Sequence, residues 1–313
     1  MPLVWLPYPD AVDRMDGLAA GLRAQTWDGT GRWPASVADV EFYVLPYMSG
    51  PSVLEPIAAM RRLRVIQTLT AGYDAVLDHV PPGVVLCNAR GVHDASTAEL
   101  AVALMLASLR GIDEFARAAV EGIWLPGQRP SLADRQVLIV GYGSVGAAVE
   151  RRLAGFEVEV LRVGRTSRTL EVGPVHGYDR TAELIPAADI VVLCLPLTPA
   201  TAGMVDAAFL ARMRDGALLV NVARGPIVDT GALLGEVSSG RLRAALDVTD
   251  PEPLPADHPL WTAPGVLISP HVGGNSSAFL PRAYQLLARQ LGRFAAGAPL
   301  LNVVLDPSRR LPS

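Results

Sequence analysis

The run Q-V-L-I-V-G-Y-G-S-V-G, residues 136–146, constrains this chain more than any other. An aliphatic stretch ends in three glycines at G-x-G-x-x-G spacing, and a helical pattern follows at once. A strand that passes through such a loop into a helix begins a βαβ unit, whose strands pair in parallel. Gly141 allows the tight turn. Gly143 lets the backbone approach a pyrophosphate, and Gly146 lets helix and strand pack closely. The helix then opens with the N–H groups of Ser144 and Val145 available to an anion. Strand, loop and helix together predict a dinucleotide-binding loop.

The rest of the chain repeats this alternation. Strands are predicted at Leu3–Leu6, Val40–Leu45, Val65–Thr68, Val84–Cys87, Val137–Val140, Val158–Val163, Ile190–Leu193, Leu218–Asn221, Ala244–Asp247 and Val266–Ser269. Helical patterns lie between them, at Pro51–Met60, Ala98–Arg117, Val145–Leu153 and Thr230–Ser239. Continuous apolar strands separated by helices indicate parallel sheets covered on both faces. Ten strands exceed one ordinary sheet, so a split near Ala98 is expected. The predicted fold is α/β, with two Rossmann-like domains. A long amphipathic helix from about Phe279, followed by L-L-N-V-V, is expected to return to the first domain.

Composition excludes several classes. The chain has 313 residues, half of them hydrophobic and 19% charged, with a net charge of -4. That suits a globular protein with a sizeable core and not a disordered one. No Lys/Arg run marks a nucleic-acid or anionic-membrane surface. The first residues, M-P-L-V-W-L-P, lack a basic region ahead of the apolar one, so no signal peptide is expected. No window approaches a membrane span; Leu100–Leu109 reads as a buried helix. Cys87 and Cys194 sit in apolar runs and read as buried reduced thiols of a cytoplasmic protein. No Cys/His cluster suggests a metal.

The strand after the dinucleotide loop decides the cofactor. In NAD-binding versions an acidic residue near its end hydrogen-bonds the ribose 2′-hydroxyl. Here that end is Gly164, followed by Arg165, Thr166, Ser167 and Arg168. Guanidiniums and hydroxyls hold a 2′-phosphate, which a carboxylate would repel. NADP(H) is therefore expected over NAD(H).

Three later segments carry chemistry. V-N-V-A-R-G places Arg224 just past a strand, A-L-D-V-T-D-P-E-P-L places Glu252 in a Pro-rich loop, and S-P-H-V-G-G places His271 past another strand. Strand C-terminal ends are where open α/β sheets bind ligands. Reduction of a 2-oxo acid needs a bidentate cation for the carboxylate, which suits Arg. It needs a proton donor for the carbonyl oxygen, which suits His, and an acid to orient that His. Arg224, His271 and Glu252 supply this set, whereas His79, His93, His176 and His258 lack an acid at a telling spacing and read as surface or local hydrogen-bonding residues.

These segments, with T-L-T-A-G-Y-D, N-A-R-G-V-H-D-A-S-T-A-E-L-A and L-C-L-P-L-T-P-A-T, resemble the D-isomer-specific 2-hydroxyacid dehydrogenase family from roughly Val40 to Val304. The resemblance implies a discontinuous substrate domain (1–97 plus 287–313), a dinucleotide domain (98–286), a substrate cleft between them and a homodimer. It implies that Arg224 binds the substrate carboxylate, that His271 paired with Glu252 is the general acid–base, and that the amides of Ala71 and Gly72 also hold the carboxylate. Thr97 would lie near the nicotinamide, Asp247 and Ala223 would contact its carboxamide, and Cys194 and Pro196 would line the adenosine side. Gly164, in place of the usual acid, matches the NADP-linked glyoxylate/hydroxypyruvate reductase branch. The N-S-S run at Asn275 departs from many relatives. No C-terminal regulatory extension is apparent, so feedback control is not expected. Two other functions use the same parts: a dinucleotide-sensing corepressor or scaffold, and a dehydrogenase of another small anion such as formate or phosphite.

Overall fold

The predicted strands fall into two separate sheets in the computed structural model, which describes residues 1–307. The chain divides into two units, Met1–His93 with the chain from Ser277, and Asp94–Ser276. These divisions lie at 93/94 and 276/277, not at 97/98 and 286/287. Each displaced boundary cut through a helix. A helix buries its apolar stripe as one surface, so the Asp94–Arg110 helix goes whole to the second unit and the Phe279–Ala295 helix whole to the first.

In the first unit, strands β1 (Leu3–Leu6), β2 (Arg23–Thr26), β3 (Val40–Val44), β4 (Val65–Gln67) and β5 (Val85–Cys87) pair in parallel. Strand β14 (Val303–Leu305) closes the edge antiparallel to β5, in the order β14-β5-β4-β3-β1-β2. This edge pair is antiparallel in a sheet that is otherwise parallel, as expected. Side chains alternate between two layers, as the strand period of two requires. Val4, Leu6, Phe42 and Val44 face one layer, while Leu3, Trp5 and Tyr43 face the other. The Phe279–Ala295 helix covers the first layer through Phe279, Ala283, Leu287, Leu291 and Phe294. Over Pro51–Met60 the expected helix is a 3-10 helix, Pro51–Ala59. Pro56 lies inside it, has no N–H to donate and clashes with a regular α-helical turn.

The second unit has eight strands: β6 (Gln136–Val140), β7 (Glu159–Gly164), β8 (Arg168–Leu170), β9 (Gly173–Gly177), β10 (Ile190–Leu193), β11 (Leu218–Asn221), β12 (Arg243–Leu246) and β13 (Val266–Ile268). Their order is β13-β12-β11-β10-β6-β7-β9-β8, parallel except for the β8–β9 pair. Winding runs one way through β7 and β9 and the other way from β10 to β13, so it reverses between β6 and β10. Outside the carboxyl ends of the strands at such a reversal lies the crevice where doubly wound sheets bind ligands. Leu138 and Val140 face one core, and Val137 and Ile139 the other; all are fully buried. Burying each such side chain contributes about 1.5–3 kcal/mol.

The helical pattern expected over Ala98–Arg117 is two helices, Asp94–Arg110 and Ile112–Val120. Gly111 separates them with φ +66°, a left-handed conformation that ends a helix. The first helix buries Ala98, Ala101, Val102, Met105 and Leu109 against the sheet, and the second buries nothing. Among the described residues no single helix is long and apolar enough to cross a membrane. Burial pushes the thiols of Cys87 and Cys194 up to about 12, so both stay protonated at neutral pH.

Candidate active site

The dinucleotide loop leaves β6 at the winding reversal. Gly141 has φ +98°, and a Cβ there would lie 2.5 Å from the Leu195 nitrogen and 2.6 Å from the Cys194 carbonyl carbon. Both the turn and the neighbouring strand end therefore require glycine. A Cβ on Gly146 would meet the Gly141 oxygen at 2.8 Å and Ile139 at 3.0 Å, which is the close helix–strand packing the spacing predicts. Gly143 faces open space, with nothing within 4 Å of its Cβ position. The helix Ser144–Leu153 starts there, and Ala147 N–H bonds back to the Gly143 oxygen at 3.0 Å. The Ser144 and Val145 amides precede that bond and have no partner in the turn. An open glycine beside unpaired helix-terminal amides fits a pyrophosphate. The Ser144 hydroxyl is 3.2 Å from Asp94, which ties this helix to the Asp94–Arg110 helix.

Beneath the loop lies a polar cluster that sequence reading missed. The Tyr142 hydroxyl donates to Glu150, and Arg162 pairs with the same carboxylate. Burial pushes Glu150 up, but its bonds from Arg162 and Tyr142 outweigh that and hold it below the usual range. These residues lie in loop, helix and strand, and no spacing rule links them.

At the end of β7 the Arg168 guanidinium sits over Gly164, 3.0 Å from that glycine's Cβ position. It donates to the Tyr142 carbonyl at 2.5 Å. Arg168 is thereby anchored to the dinucleotide loop. Arg165 is exposed; burial pushes the nearby Tyr178 hydroxyl up, and the Arg165 charge only partly opposes that. Ser167 accepts the Gly177 N–H at 2.9 Å, which uses its hydroxyl to brace the β8–β9 hairpin. A carboxylate also reaches this end: Asp179 lies against Gly177, the residue paired with Gly164. It sits on a later strand end, outside the spacing that sequence reading searched.

The three side chains expected to carry the chemistry follow adjacent strands of the same sheet. Arg224 follows β11, Glu252 follows β12 and His271 follows β13. His271 Nδ1 and Glu252 Oε1 are 2.5 Å apart, and both side chains are partly exposed. With Nδ1–H donating to the carboxylate, Nε2 is left to exchange a proton with a ligand. His271 holds a left-handed backbone, φ +51°, rare outside glycine. Asp247 explains how. Its carboxylate accepts from the Ser269 hydroxyl at 2.6 Å and from the Val272 and Gly273 amides at 2.9 Å. Its carbonyl accepts the His271 N–H at 2.8 Å. The expected nicotinamide-contact residue is thus bonded into the S-P-H-V-G-G loop.

Arg224 is set by a second buried amide. Asn221 donates to the Arg224 carbonyl at 3.0 Å and accepts the Ala223 N–H at 3.0 Å. Arg224 itself donates to the Ala223 oxygen at 2.8 Å. Gly225 lies so close to the Thr249 carbonyl that any side chain is barred, and this locks the Arg224 loop to the Glu252 loop. Thr97, on the Asp94–Arg110 helix, comes 3.5 Å from the Cβ position of Gly273. The Pro196 carbonyl accepts from Thr201 at 2.7 Å.

In the first unit Ala71 and Gly72 follow β4. Their carbonyls are occupied, Ala71's by Asn88 at 2.7 Å and Gly72's by Thr70 at 2.6 Å. Their N–H groups make no such bond and so stay available to an acceptor. His93, expected to be a surface or local hydrogen-bonding residue, is buried, lies with Nε2 2.7 Å from the Leu69 carbonyl oxygen and stacks on Tyr47 and Phe279.

Gly141→Ala should lower the melting temperature and abolish dinucleotide binding, read by thermal melt and by quenching of protein fluorescence on titration. Binding at the wild-type level would show that the loop is not the cofactor site.

The family model described as the D-isomer specific 2-hydroxyacid dehydrogenase NAD binding domain matches residues 102–273. A human glyoxylate reductase/hydroxypyruvate reductase is 36% identical over 228 residues, 69% of this chain and 69% of that one. A glyoxylate reductase of Korarchaeum cryptofilum is 33% identical over 269 residues, 82% of this chain and 80% of that one. The solved D-isomer specific 2-hydroxyacid dehydrogenase of Xanthobacter autotrophicus Py2, in complex with NADPH and MES, is 30% identical with a TM-score of 0.82, and 98% of each chain is covered. This chain belongs to the D-isomer specific 2-hydroxyacid dehydrogenase family and is an NAD(P)-dependent oxidoreductase of CH–OH donors.

Proposed function

We propose that this enzyme is an NADP(H)-dependent reductase of small 2-oxo acids, with glyoxylate or hydroxypyruvate as substrate. The observation that carries the reading is the 2.5 Å His271–Glu252 pair, with Arg224 after the adjoining strand, on the sheet edge that also bears the dinucleotide loop. When bound, a reduced nicotinamide supplies the hydride that the carbonyl carbon accepts. The chain's own groups do the rest. Arg224 pairs with the substrate carboxylate and polarises the carbonyl, a role for a planar bidentate cation. His271 Nε2 delivers a proton to the carbonyl oxygen, and Glu252 fixes the orientation of the imidazole through Nδ1. Asp247 shapes the loop that aims His271. The Ala71 and Gly72 amides are the carboxylate donors that this reading takes from the first unit. Names of similar proteins support the substrate class: the human and Korarchaeum relatives are both glyoxylate reductases.

His271→Ala should lower kcat by about 10²–10⁴-fold, the usual worth of a positioned acid–base, with NADPH affinity kept. The check is the loss of nicotinamide absorbance with glyoxylate and hydroxypyruvate. Near-normal turnover in the variant would remove His271 from the mechanism. No turnover by the wild type, despite tight NADPH binding, would favour the dinucleotide-sensing alternative.

The preference for NADP(H) rests on Arg165 and Arg168 beside a β7 end that carries Gly164. Arg168→Ala should raise KM for NADPH by about tenfold, the loss of one charge-assisted bond, with little change for NADH. Equal effects on both cofactors would mean that Arg168 only braces Tyr142.

The reading includes a homodimer built on the second unit. The Ile112–Val120 helix and the segment after it expose Ile112 (53%), Val120 (83%), Ile123 (57%) and Trp124 (91%). A tryptophan alone offers about 150–250 Å², a good part of the roughly 800 Å² per partner that a stable interface needs. Trp124→Glu should convert the dimer to a monomer in light scattering. A wild-type monomer, or an unchanged mass in the variant, would refute this interface.

A further inference from the structure

A trans peptide plane points its C=O and its N–H in opposite directions. Whatever holds the carbonyl therefore aims the following amide. In T-L-T-A-G-Y-D this operates twice. The Thr70 carbonyl is held by the Ala89 N–H at 2.9 Å and the Thr68 hydroxyl at 2.8 Å, which aims the Ala71 amide. The Ala71 carbonyl is held by Asn88 Nδ2 at 2.7 Å, which aims the Gly72 amide. The Gly72 carbonyl is in turn held by Thr70, so the next plane cannot rotate to compensate.

Asn88 is itself built in. Its Oδ1 accepts the Arg90 N–H at 3.2 Å, which fixes the amide's orientation. Its carbonyl accepts Gln67 Nε2 at 3.1 Å, and its N–H donates to the Asn302 carbonyl at 3.1 Å. Gln67 is fully buried, as is Gln290, whose Nε2 donates to Gln67 Oε1 at 2.8 Å. Gln290 Oε1 accepts the Leu301 N–H at 2.8 Å, and its Nε2 also reaches the Leu301 carbonyl at 3.0 Å. A chain of amides thus runs from the Phe279–Ala295 helix and the segment that closes the sheet, through the core, to the free N–H groups. Two wholly buried glutamines are costly unless every polar atom is satisfied, and here the partners are supplied. A leucine pair would fill the same core without that demand, so stability alone does not call for them.

We propose that Asn88 is a positioning residue for the substrate carboxylate. Its bond to the Ala71 carbonyl holds the Gly72 amide toward the anion, and the Gln67–Gln290 pair keeps Asn88 in register. The inference rests on the proposed role of the Ala71 and Gly72 amides. It concerns substrate and not cofactor, because Asn88 and its partners all belong to the first unit while the dinucleotide loop belongs to the second.

The test compares wild type, Asn88→Ala and Asn88→Asp at saturating NADPH. The aspartate keeps the shape and the acceptor for Arg90 but loses the donor to Ala71, so it serves if the alanine variant does not fold. KM for glyoxylate and the inhibition constant of oxalate should both rise about tenfold or more, the cost of one charge-assisted hydrogen bond. NADPH affinity, read by fluorescence, should stay at the wild-type value, and kcat should fall much less than kcat/KM. A folded variant with unchanged KM and unchanged oxalate inhibition would overturn the proposal. So would equal losses for NADPH and glyoxylate, which would mark Asn88 as merely structural. Failure of the wild type itself to use glyoxylate and bind oxalate would instead refute the reading on which the proposal rests.

Discussion

The parallel hydrogen bonding of β6 to β7 on one side and β10 on the other is the interaction on which the second unit depends. Parallel strands deliver all their carboxyl ends to one edge. Val140 pairs with Val163 and with Leu193, so the loops that follow, at Gly141, Gly164 and Cys194, emerge side by side. Continuing the ladder through β11, β12 and β13 brings Arg224, Glu252 and His271 to the same edge. The chemistry is assembled by register, and none of these side chains is near another in sequence. The close contact of Gly141 with the start of the Cys194–Leu195 loop is one consequence: the reversal of winding leaves room for backbone only.

Within that frame the functional loops are held by buried polar side chains bonded to backbone. Asp247 closes the His271 loop, Asn221 closes the Arg224 loop and Asn88 closes the Ala71–Gly72 loop. Each acts on backbone groups of its loop that are partly or wholly buried, where a hydrogen bond contributes about 0.5–1.5 kcal/mol. In the Asp247 case the held loop also contains a backbone that its own residue does not favour, the left-handed His271. Rigid loops matter for acid–base and hydride chemistry because reacting atoms must be held within a few tenths of an ångström.

Much of this was legible in the sequence. Buried strands such as Ile190–Leu193 and Leu218–Asn221 announce themselves because both faces are covered, so every residue is apolar. The strands that escaped notice are edge or hairpin strands. Arg23–Thr26, R-A-Q-T, has one solvated face and no aliphatic run, and Gly173–Gly177, G-P-V-H-G, contains two glycines and a proline. Helix ends were misplaced where a single backbone angle decides, as at Gly111. The placement of Arg224, Glu252 and His271 past strand ends was legible because each follows a clear strand. Asn88, Asn221 and the Tyr142–Glu150–Arg162 cluster were not. Their meaning lies in contacts between segments that no local spacing records.

The adenosine end shows how a local rule and a tertiary contact combine. Gly164 removes the carboxylate that would grip a ribose hydroxyl, but glycine by itself binds nothing. What makes the position cationic is the β8–β9 hairpin, which turns the chain back so that Arg168 lies over Gly164 and bonds to the Tyr142 carbonyl. A larger residue at 164 would press on that guanidinium and on Val175, 3.2 Å from its Cβ position. The small residue at 164 and the seating of the arginine over it are therefore one structural feature. Asp179, beside Gly177, opposes it with a carboxylate of its own. The proposed preference for NADP(H) has two guanidiniums outweigh that one exposed acid for a dianionic phosphate, since Coulomb energy scales with the product of the charges while a neutral hydroxyl gains only one hydrogen bond.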